Sequence, residues 1–487
     1  MLNIDYKNKY FKYKNKYLKY KHKYFTTGGA FNDWKPIFLY QTPSFIVHMF
    51  NETLTDITNK MEQLSILGIE CIQISPIQEC REIIGNTLLI KKGLRNEPDI
   101  KPWWLSYQPL SYKIGNNMYG SLDDLRKLIE TAHRLNIKVI ADIVINHITA
   151  DIDLEWKEWS EFLSICNRFK PGIDSTGFSI DINFYDMIQH NCYTNYDEFL
   201  KSKIKENLTV SDMITKVKEH IKHFLQVDTD DDNILKCITA PFYCNENVQL
   251  NYNCWLGQAL IQLNHKEPII KQATVNFLQE LINLGIDGLR IDAASHIHPL
   301  ILQDYITYCK LMKPDIYIYA EFIDTGGINT KLTLESYSRI MPITDYKLYF
   351  KLENMTIFDL LVLNVPSNNS ESVVFTTTHD LEDIGDETAS LGNSIKQNVK
   401  NNQYIYLCYF LQRIYNVPLV FNRQYENDDV KECMLLRKNM KANNIVKEKN
   451  EIHDSDKLIS TKYTVDNIEY AKVTLDFTTK KTTIEYY

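Results

Sequence analysis

The sequence predicts an α/β protein whose parallel sheet closes as a barrel, and three observations carry that prediction. From residue 45 onward, short apolar β-type runs alternate with segments of helical spacing, the pattern of strand–helix–strand crossovers. Several of these runs end on charged or polar residues, as in Gly288-Leu289-Arg290-Ile291-Asp292. Unpaired charge is seldom buried, and in parallel α/β barrels the working groups stand at the C-terminal ends of strands. The chain, at 487 residues, is long enough for such a barrel and for further units.

The elements follow in order. Residues 6–24 form a seven-residue repeat, Tyr6-Lys7-Asn8-Lys9-Tyr10-Phe11-Lys12 and its two successors. Eight Lys against the single Asp5 give this end about +7, which leaves about −15 on the rest of a chain of net charge −8. A basic amphipathic helix and a solvated arm both fit residues 1–30, and such an arm is expected to meet an anionic surface if it binds anything. Phe45–Phe50 reads as a strand, Thr53–Leu67 as a helix stopped by Gly68, and Ile69–Ser75 as a strand ended by Pro76. Ser121, with Asp124 three residues on, opens a helix to Asn136. Lys138–Ile145 is a strand with Asp142 inside it and Asn146-His147 at its end.

Between 148 and 255 the rhythm is lost, so this stretch is read as an irregular domain inserted after the third barrel strand. Its acidic knot, Asp228-Thr229-Asp230-Asp231-Asp232, lacks EF-hand spacing and reads as a solvated loop. The alternation then resumes. Pro268–Leu284 is a helix with Pro in its first turn and Gly285 at its stop; Ile286–Asp292 is a strand; Ile297–Met312 is a helix. Ile316–Ala320 is a strand ending on Glu321, and Val373–Thr377 is one ending on Thr378-His379-Asp380. Tyr404–Ile414 is a helix and Val417–Phe421 a strand. Residues 428–487 read as a small C-terminal β domain, with the barrel divided between 31–147 and 256–427.

Composition narrows the function. Hydrophobic residues make up 44%, without an apolar run long enough to span a membrane. The acidic balance argues against nucleic acid as the partner of the globular part. The 31 Tyr and 6 Trp suit stacking on flat ligands as well as packing. Ten Cys show neither CxxC nor Cys/His metal spacing and are expected as reduced thiols. A secretory signal is not recognisable, so a cytoplasmic or virion-associated chain is expected.

Asp292, Glu321 and Asp380 therefore stand at the ends of successive β-type runs, with His147 and His379 in equivalent places. Acids converging on a barrel mouth suit cleavage of a glycosidic bond. One must stay ionised to attack the anomeric carbon, and one must keep a proton for the leaving oxygen. Arg290, two residues before Asp292, is expected to hold it ionised. On that segment alone, a structural Arg–Asp pair reads equally well.

The order of these segments resembles the α-amylases of glycoside hydrolase family 13. Asp142–His147, Gly288–His296, Glu321-Phe322-Ile323-Asp324 and Phe375–Asp380 match the family's four signature segments. Pro102–Tyr112 and Glu321–Gly327 are closer still to animal-type members. The likeness covers roughly 44–147 and 251–425. It implies a TIM (β/α)8 barrel with an inserted domain after strand 3, acting on α-1,4-glucans as a monomer. By resemblance, Asp292 is the nucleophile, Glu321 the acid and then the base, and Asp380 the clamp on sugar hydroxyls. Trp103, Trp104, Tyr107, Gln108, Asp142, His147, Arg290 and His379 would line the substrate site. The family's calcium would fall to Asn146, the carbonyl of His296 and Gln262, and its chloride to Arg290, Thr378 and Arg423. Three positions depart from the pattern: Gln262 replaces Asp, Thr378 replaces Asn, and Ser295 replaces a substrate-gripping Lys. A related transglycosylase or α-glucosidase, and a weakly catalytic glycan-binding virion protein, are the competing expectations. The basic repeat itself resembles N-terminal repeats on giant DNA virus proteins.

Overall fold

Seven parallel strands build the barrel: β1 (Ile46–Met49), β2 (Cys71–Ile74), β3 (Lys138–Ile143), β4 (Gly288–Ile291), β5 (Tyr317–Ala320), β6 (Val373–Val374) and β7 (Val417–Phe421). They pair in the order β6–β7–β1–β2–β3–β4–β5. The computed structural model describes residues 42–80, 103–115, 117–149, 210–229, 231–239, 260–323, 330–356, 359–360, 372–381, 397–413, 415–442, 447–453, 458–466 and 468–487. The Lys/Tyr repeat, most of the insert and the Asp324–Gly327 part of the third signature lie outside the described residues.

Ile343 and Thr344 join the two ends of that row. Ile343 bridges to Ala320 of β5 and Thr344 to Val373 of β6, both in parallel. The ring thus closes through an eighth position only two residues long. Four backbone bonds hold it: Ala320 N to Pro342 O, Thr344 N to Ala320 O, Val373 N to Ile343 O and Asp345 N to Val373 O, at 2.9–3.0 Å. The (β/α)8 barrel expected from the sequence is observed. Its sixth strand is the one the sequence does not reveal, because two residues cannot make a recognisable apolar run.

Local chemistry explains the main helices. Thr53 caps α1 (Leu54–Ile66) by accepting from Asp56 N at 3.1 Å. Ser121 and Asp124 form a reciprocal capping box on α2 (Leu122–Arg134), with bonds of 3.2 and 2.8 Å. Each cap of this kind stabilises by about 1 kcal/mol. On α3 (Pro268–Leu284), Pro occupies the first turn and Gly285, at φ +102°, ends it in the left-handed region. Gly288 answers a different need: a Cβ there would lie 2.8 Å from both Ile140 Cγ1 and Tyr317 O. Only glycine lets β4 sit between β3 and β5 at this depth.

Three expectations need correction. The insert is not wholly irregular: Val210–Leu225 is a 16-residue helix, and Phe224 packs edge-on to Tyr112 at 4.7 Å. The acidic knot is partly a cap, since Asp231 accepts from Asn233 N at the start of the 3-10 turn Asp232–Cys237. Residues 428–442 are not β but a helix, Asp428–Ala442, buried through Val430, Cys433, Met434 and Met440. Its Arg437 donates to Ser44 O at 3.1 Å and so ties it to the barrel's first strand region. Charged residues on its outer faces hide that helical spacing. The antiparallel sheet begins only at β8 (Lys447–His453) and continues through β9 (Leu458–Val465), β10 (Ile468–Asp476) and β11 (Lys481–Tyr486). Among the described residues, all six cysteines are free and buried, as the reduced-thiol expectation requires. No helix among them is long and apolar enough to cross a membrane.

Candidate active site

Arg290 is the centre of the barrel mouth. It points from β4 and is 4% exposed. Its Nη1 donates to Asp142 at 2.8 and 3.0 Å and to Asp292 Oδ1 at 2.8 Å. Its Nη2 donates to Glu321 Oε1. One guanidinium therefore serves carboxylates from the ends of β3, β4 and β5. The parallel register makes this so, because Asp142 lies opposite Arg290 and Arg290 opposite Tyr319.

Glu321 has a second donor. The backbone N–H of Ala293 reaches its Oε2 at 3.0 Å. Ala293 sits in the left-handed region at φ +46°, a conformation that L residues other than Asn and Asp rarely adopt. The residue directly after Asp292 is thus turned so that its N–H meets the neighbouring acid. This backbone donor left no mark in the sequence.

The electrostatics follow from burial. Glu321 is pushed above its ordinary value, mainly by desolvation, and the charge of Arg290 opposes this. Asp292 is pushed up strongly by desolvation and then by the charge of Glu321, with Arg290 opposing. Asp142 rises for the same first reason. Arg290 acts on Asp292 in the expected direction, but burial and the charge of Glu321 outweigh it. One cation faces several buried acids, so burial and mutual repulsion push Asp292 and Glu321 upward together.

Asp142 was expected to line the substrate site, but it is fully buried. Its Oδ2 accepts from Tyr107 OH at 2.9 Å and both oxygens accept from Arg290, so it positions Arg290. His379 lies in an aromatic sandwich, stacked on Phe50 at 4.8 Å and Tyr107 at 4.9 Å, with Trp103 edge-on at 5.2 Å. Its Nε2 stands 3.4 Å from Asp380 Oδ2. Burial, aided by the charge of Arg290, brings its pKa down to about 4. His147 Nε2 donates to Tyr107 O at 2.9 Å, and burial lowers this histidine to about 4 as well. Both rings are neutral hydrogen-bonding groups near pH 7. Trp103 is buried and Trp104 is half-buried against the same cluster, while Gln108 accepts from Thr149 Oγ1 at 3.4 Å.

Tyr346 was missed from the sequence. It follows the two-residue eighth position, and its OH reaches Asp380 Oδ2 at 3.4 Å and Thr378 Oγ1 at 3.3 Å. His48 and Phe50, at the end of β1, were read only as strand residues. Yet the His48 ring lies 6.0 Å from that of His379, and its Nε2 lies 3.2 Å from Gln73 Nε2.

The residues assigned to chloride stand in different surroundings. Arg423 is exposed on the turn Asn422–Glu426, whereas Arg290 is buried among carboxylates and Thr378 faces Tyr346. The residue that turns inward is Gln424, which donates to Thr376 Oγ1 at 3.2 Å.

The residues assigned to calcium do converge. Gln262 Nε2 donates to Asn146 Oδ1 at 3.2 Å and to His296 O at 2.7 Å, and Thr239 Oγ1 donates to Gln262 Oε1 at 3.3 Å. An amide N–H2 between two oxygens does not fit a hard cation, which takes oxygens alone. Ser295 offers its carbonyl to Tyr337 OH at 3.3 Å.

Fold and site together define a parallel (β/α)8 barrel whose mouth is an arginine-centred cluster of acids. Comparison with known proteins gives that class a closer relation. The α-amylase catalytic domain matches residues 42–164. An α-amylase of Pecten maximus is 25% identical over 69% of this chain and 56% of its own length. One of Phaedon cochleariae is 23% identical over 70% of this chain and 58% of its own. The chain thus spans little more than half of these relatives. Among solved structures, α-amylase I of Eisenia fetida superposes with a TM-score of 0.56 at 18% identity, covering 91% of this chain and 86% of that one. The protein is α-amylase-like in sequence and has the α-amylase barrel fold.

Proposed function

We propose that the protein is a retaining glycoside hydrolase that cleaves α-1,4-glucosidic bonds in starch- or glycogen-type polysaccharides and maltooligosaccharides. One observation carries the reading: Asp292 and Glu321 accept from the two terminal nitrogens of a single guanidinium. Carboxyls bonded in that way stand close together. Retaining glycosidases need such a short separation, about 5 Å, because one carboxyl attacks the carbon that the other's proton helps to leave.

In the reacting form, Glu321 carries a proton and Asp292 is ionised. Asp292 attacks the anomeric carbon and forms the glycosyl ester, while Glu321 passes its proton to the leaving oxygen. Glu321, now ionised, takes a proton from water, whose oxygen displaces Asp292 and releases the sugar. Asp380, steadied by Tyr346, holds sugar hydroxyls. The neutral His379 offers a hydrogen bond without adding charge to the cluster, while His147 holds Tyr107 in place through its carbonyl. Relatives named α-amylase, and an Eisenia fetida α-amylase solved with maltohexaose, support the choice of substrate class.

The test is release of reducing ends from soluble starch, with product analysis on maltoheptaose. Wild type should yield shorter linear products, and Glu321→Gln should lose activity by roughly 10²–10⁴-fold. Full activity in that variant would overturn the reading. Products longer than the substrate would make the enzyme a transglycosylase, and glycogen binding without sugar release would make it a binding protein.

A further inference from the structure

A chain of neutral groups runs beside the acid cluster, and its direction is fixed at both ends. At one end, Tyr107 O can only accept, so His147 Nε2 carries the proton it donates there at 2.9 Å. Nδ1 faces Asn146 Nδ2 at 3.3 Å, and with the proton on Nε2 it accepts from that amide. Asn146 is thereby left presenting Oδ1. At the other end, the carbonyl of His296 can also only accept. Gln262 therefore turns Nε2 toward both oxygens, and its two N–H groups match two acceptors. Its own Oε1 takes the hydroxyl of Thr239. Asn146 and Gln262 are 0% and 1% exposed, so water does not compete for these bonds.

We infer that the side-chain amide of Gln262 does the work of a structural cation at this point, tying three chain segments together without metal. The segments are the exit of β3 at Asn146, the strand Leu260–Gln262, and the turn Ala294–His296 that follows Asp292. Asn146, Gln262 and the His296 carbonyl supply neutral groups only. A cation could enter between Asn146 Oδ1 and His296 O only if Gln262 turned its oxygen inward. That turn would forfeit both N–H donations and the Thr239 bond. A carboxylate at position 262 would reverse the preference, leaving two oxygens without a donor and an anion to draw a cation in.

The test reads thermal unfolding of the full chain in excess EGTA and in millimolar calcium chloride, so it stands apart from the proposed activity. Wild type should unfold at the same temperature, within about 1 °C, in both. Gln262→Asp should be destabilised by several °C in EGTA and should recover in calcium, as a ligand that binds only the folded state requires. Gln262→Met, which keeps the length without donors, should be destabilised equally in both solutions. If Gln262→Asp does not fold in EGTA, folding in calcium alone counts as the same gain. A wild-type response to calcium that Gln262→Met abolishes would overturn the inference. A wild-type response that survives in Gln262→Met supports it, since that ion is not held at Gln262.

Discussion

Two buried networks meet at Tyr107, and they satisfy their polar groups in opposite ways. Through its hydroxyl, Tyr107 joins the charged network of Asp142, Arg290, Asp292 and Glu321. Through its carbonyl it joins the neutral chain of His147, Asn146, Gln262 and His296. The neutral chain pairs donors with acceptors and is complete as it stands. The charged one has one cation for several acids, and burial pushes those acids above their ordinary values. A saturated network fixes geometry, whereas an oversubscribed one shifts the titration of its acids, the condition that acid–base chemistry needs.

The sharpest way to break this contrast is to remove the cation. Arg290→Met leaves the buried acids without a counter-charge, and breaking such a cluster costs about 3–5 kcal/mol. Urea unfolding near neutral pH should show that loss, and starch hydrolysis should vanish. A loss below about 1 kcal/mol would mean that the acids are already neutral and that Arg290 does not charge the cluster.

The second test is pH, where the two networks should pull in opposite directions. His147 and His379 sit at about 4 in the fold because burial disfavours their charge. In the unfolded chain they titrate at about 6.5. Above that both states are neutral; below it the unfolded chain gains protons, so stability falls as pH drops from about 6.5 to about 4. Each site contributes on the order of 3 kcal/mol at the acid end. The acids have raised folded values, so their contribution is lost as pH rises above the ordinary carboxylate range. A profile of unfolding temperature against pH should flatten on its acid side in His147→Gln, while an unchanged slope there would remove His147 from the account. The smallest effect is expected for Tyr346→Phe. It loses only long contacts of 3.3–3.4 Å, so kcat/KM should fall tenfold or less, with about 1 kcal/mol or less of stability. A loss as large as that of Asp380→Asn would place Tyr346 among the groups that touch the substrate.

What the sequence revealed divides along the same physical lines. Strand ends were legible because Asp292, Glu321 and Asp380 break apolar runs with charge. Caps were legible at Ser121 and Gly285 because the residue type is the mechanism. Asp142 was placed on the substrate side but lies buried behind Arg290, since residue type does not say which way a side chain faces. Ala293 and Tyr346 were invisible for other reasons: one acts through its backbone, and the other follows a strand too short to see. Gln262 read from sequence as a weakened cation ligand; only its partners show an amide saturated on both sides.

The two-residue eighth position has a consequence for motion. Four backbone bonds hold that seam, helped by the Thr344 hydroxyl, which meets Phe322 N at 2.8 Å and Phe322 O at 3.2 Å. Glu321 stands on one side of the seam, directly after β5, and Asp380 on the other, beyond β6. Local opening begins where a ladder has fewest rungs. Amide hydrogens of Thr344 and Val373 should therefore exchange with solvent ahead of those in β2 and β3. Glu321 and Asp380 flank that seam, so the barrel is held across its mouth at the place where its ladder is shortest.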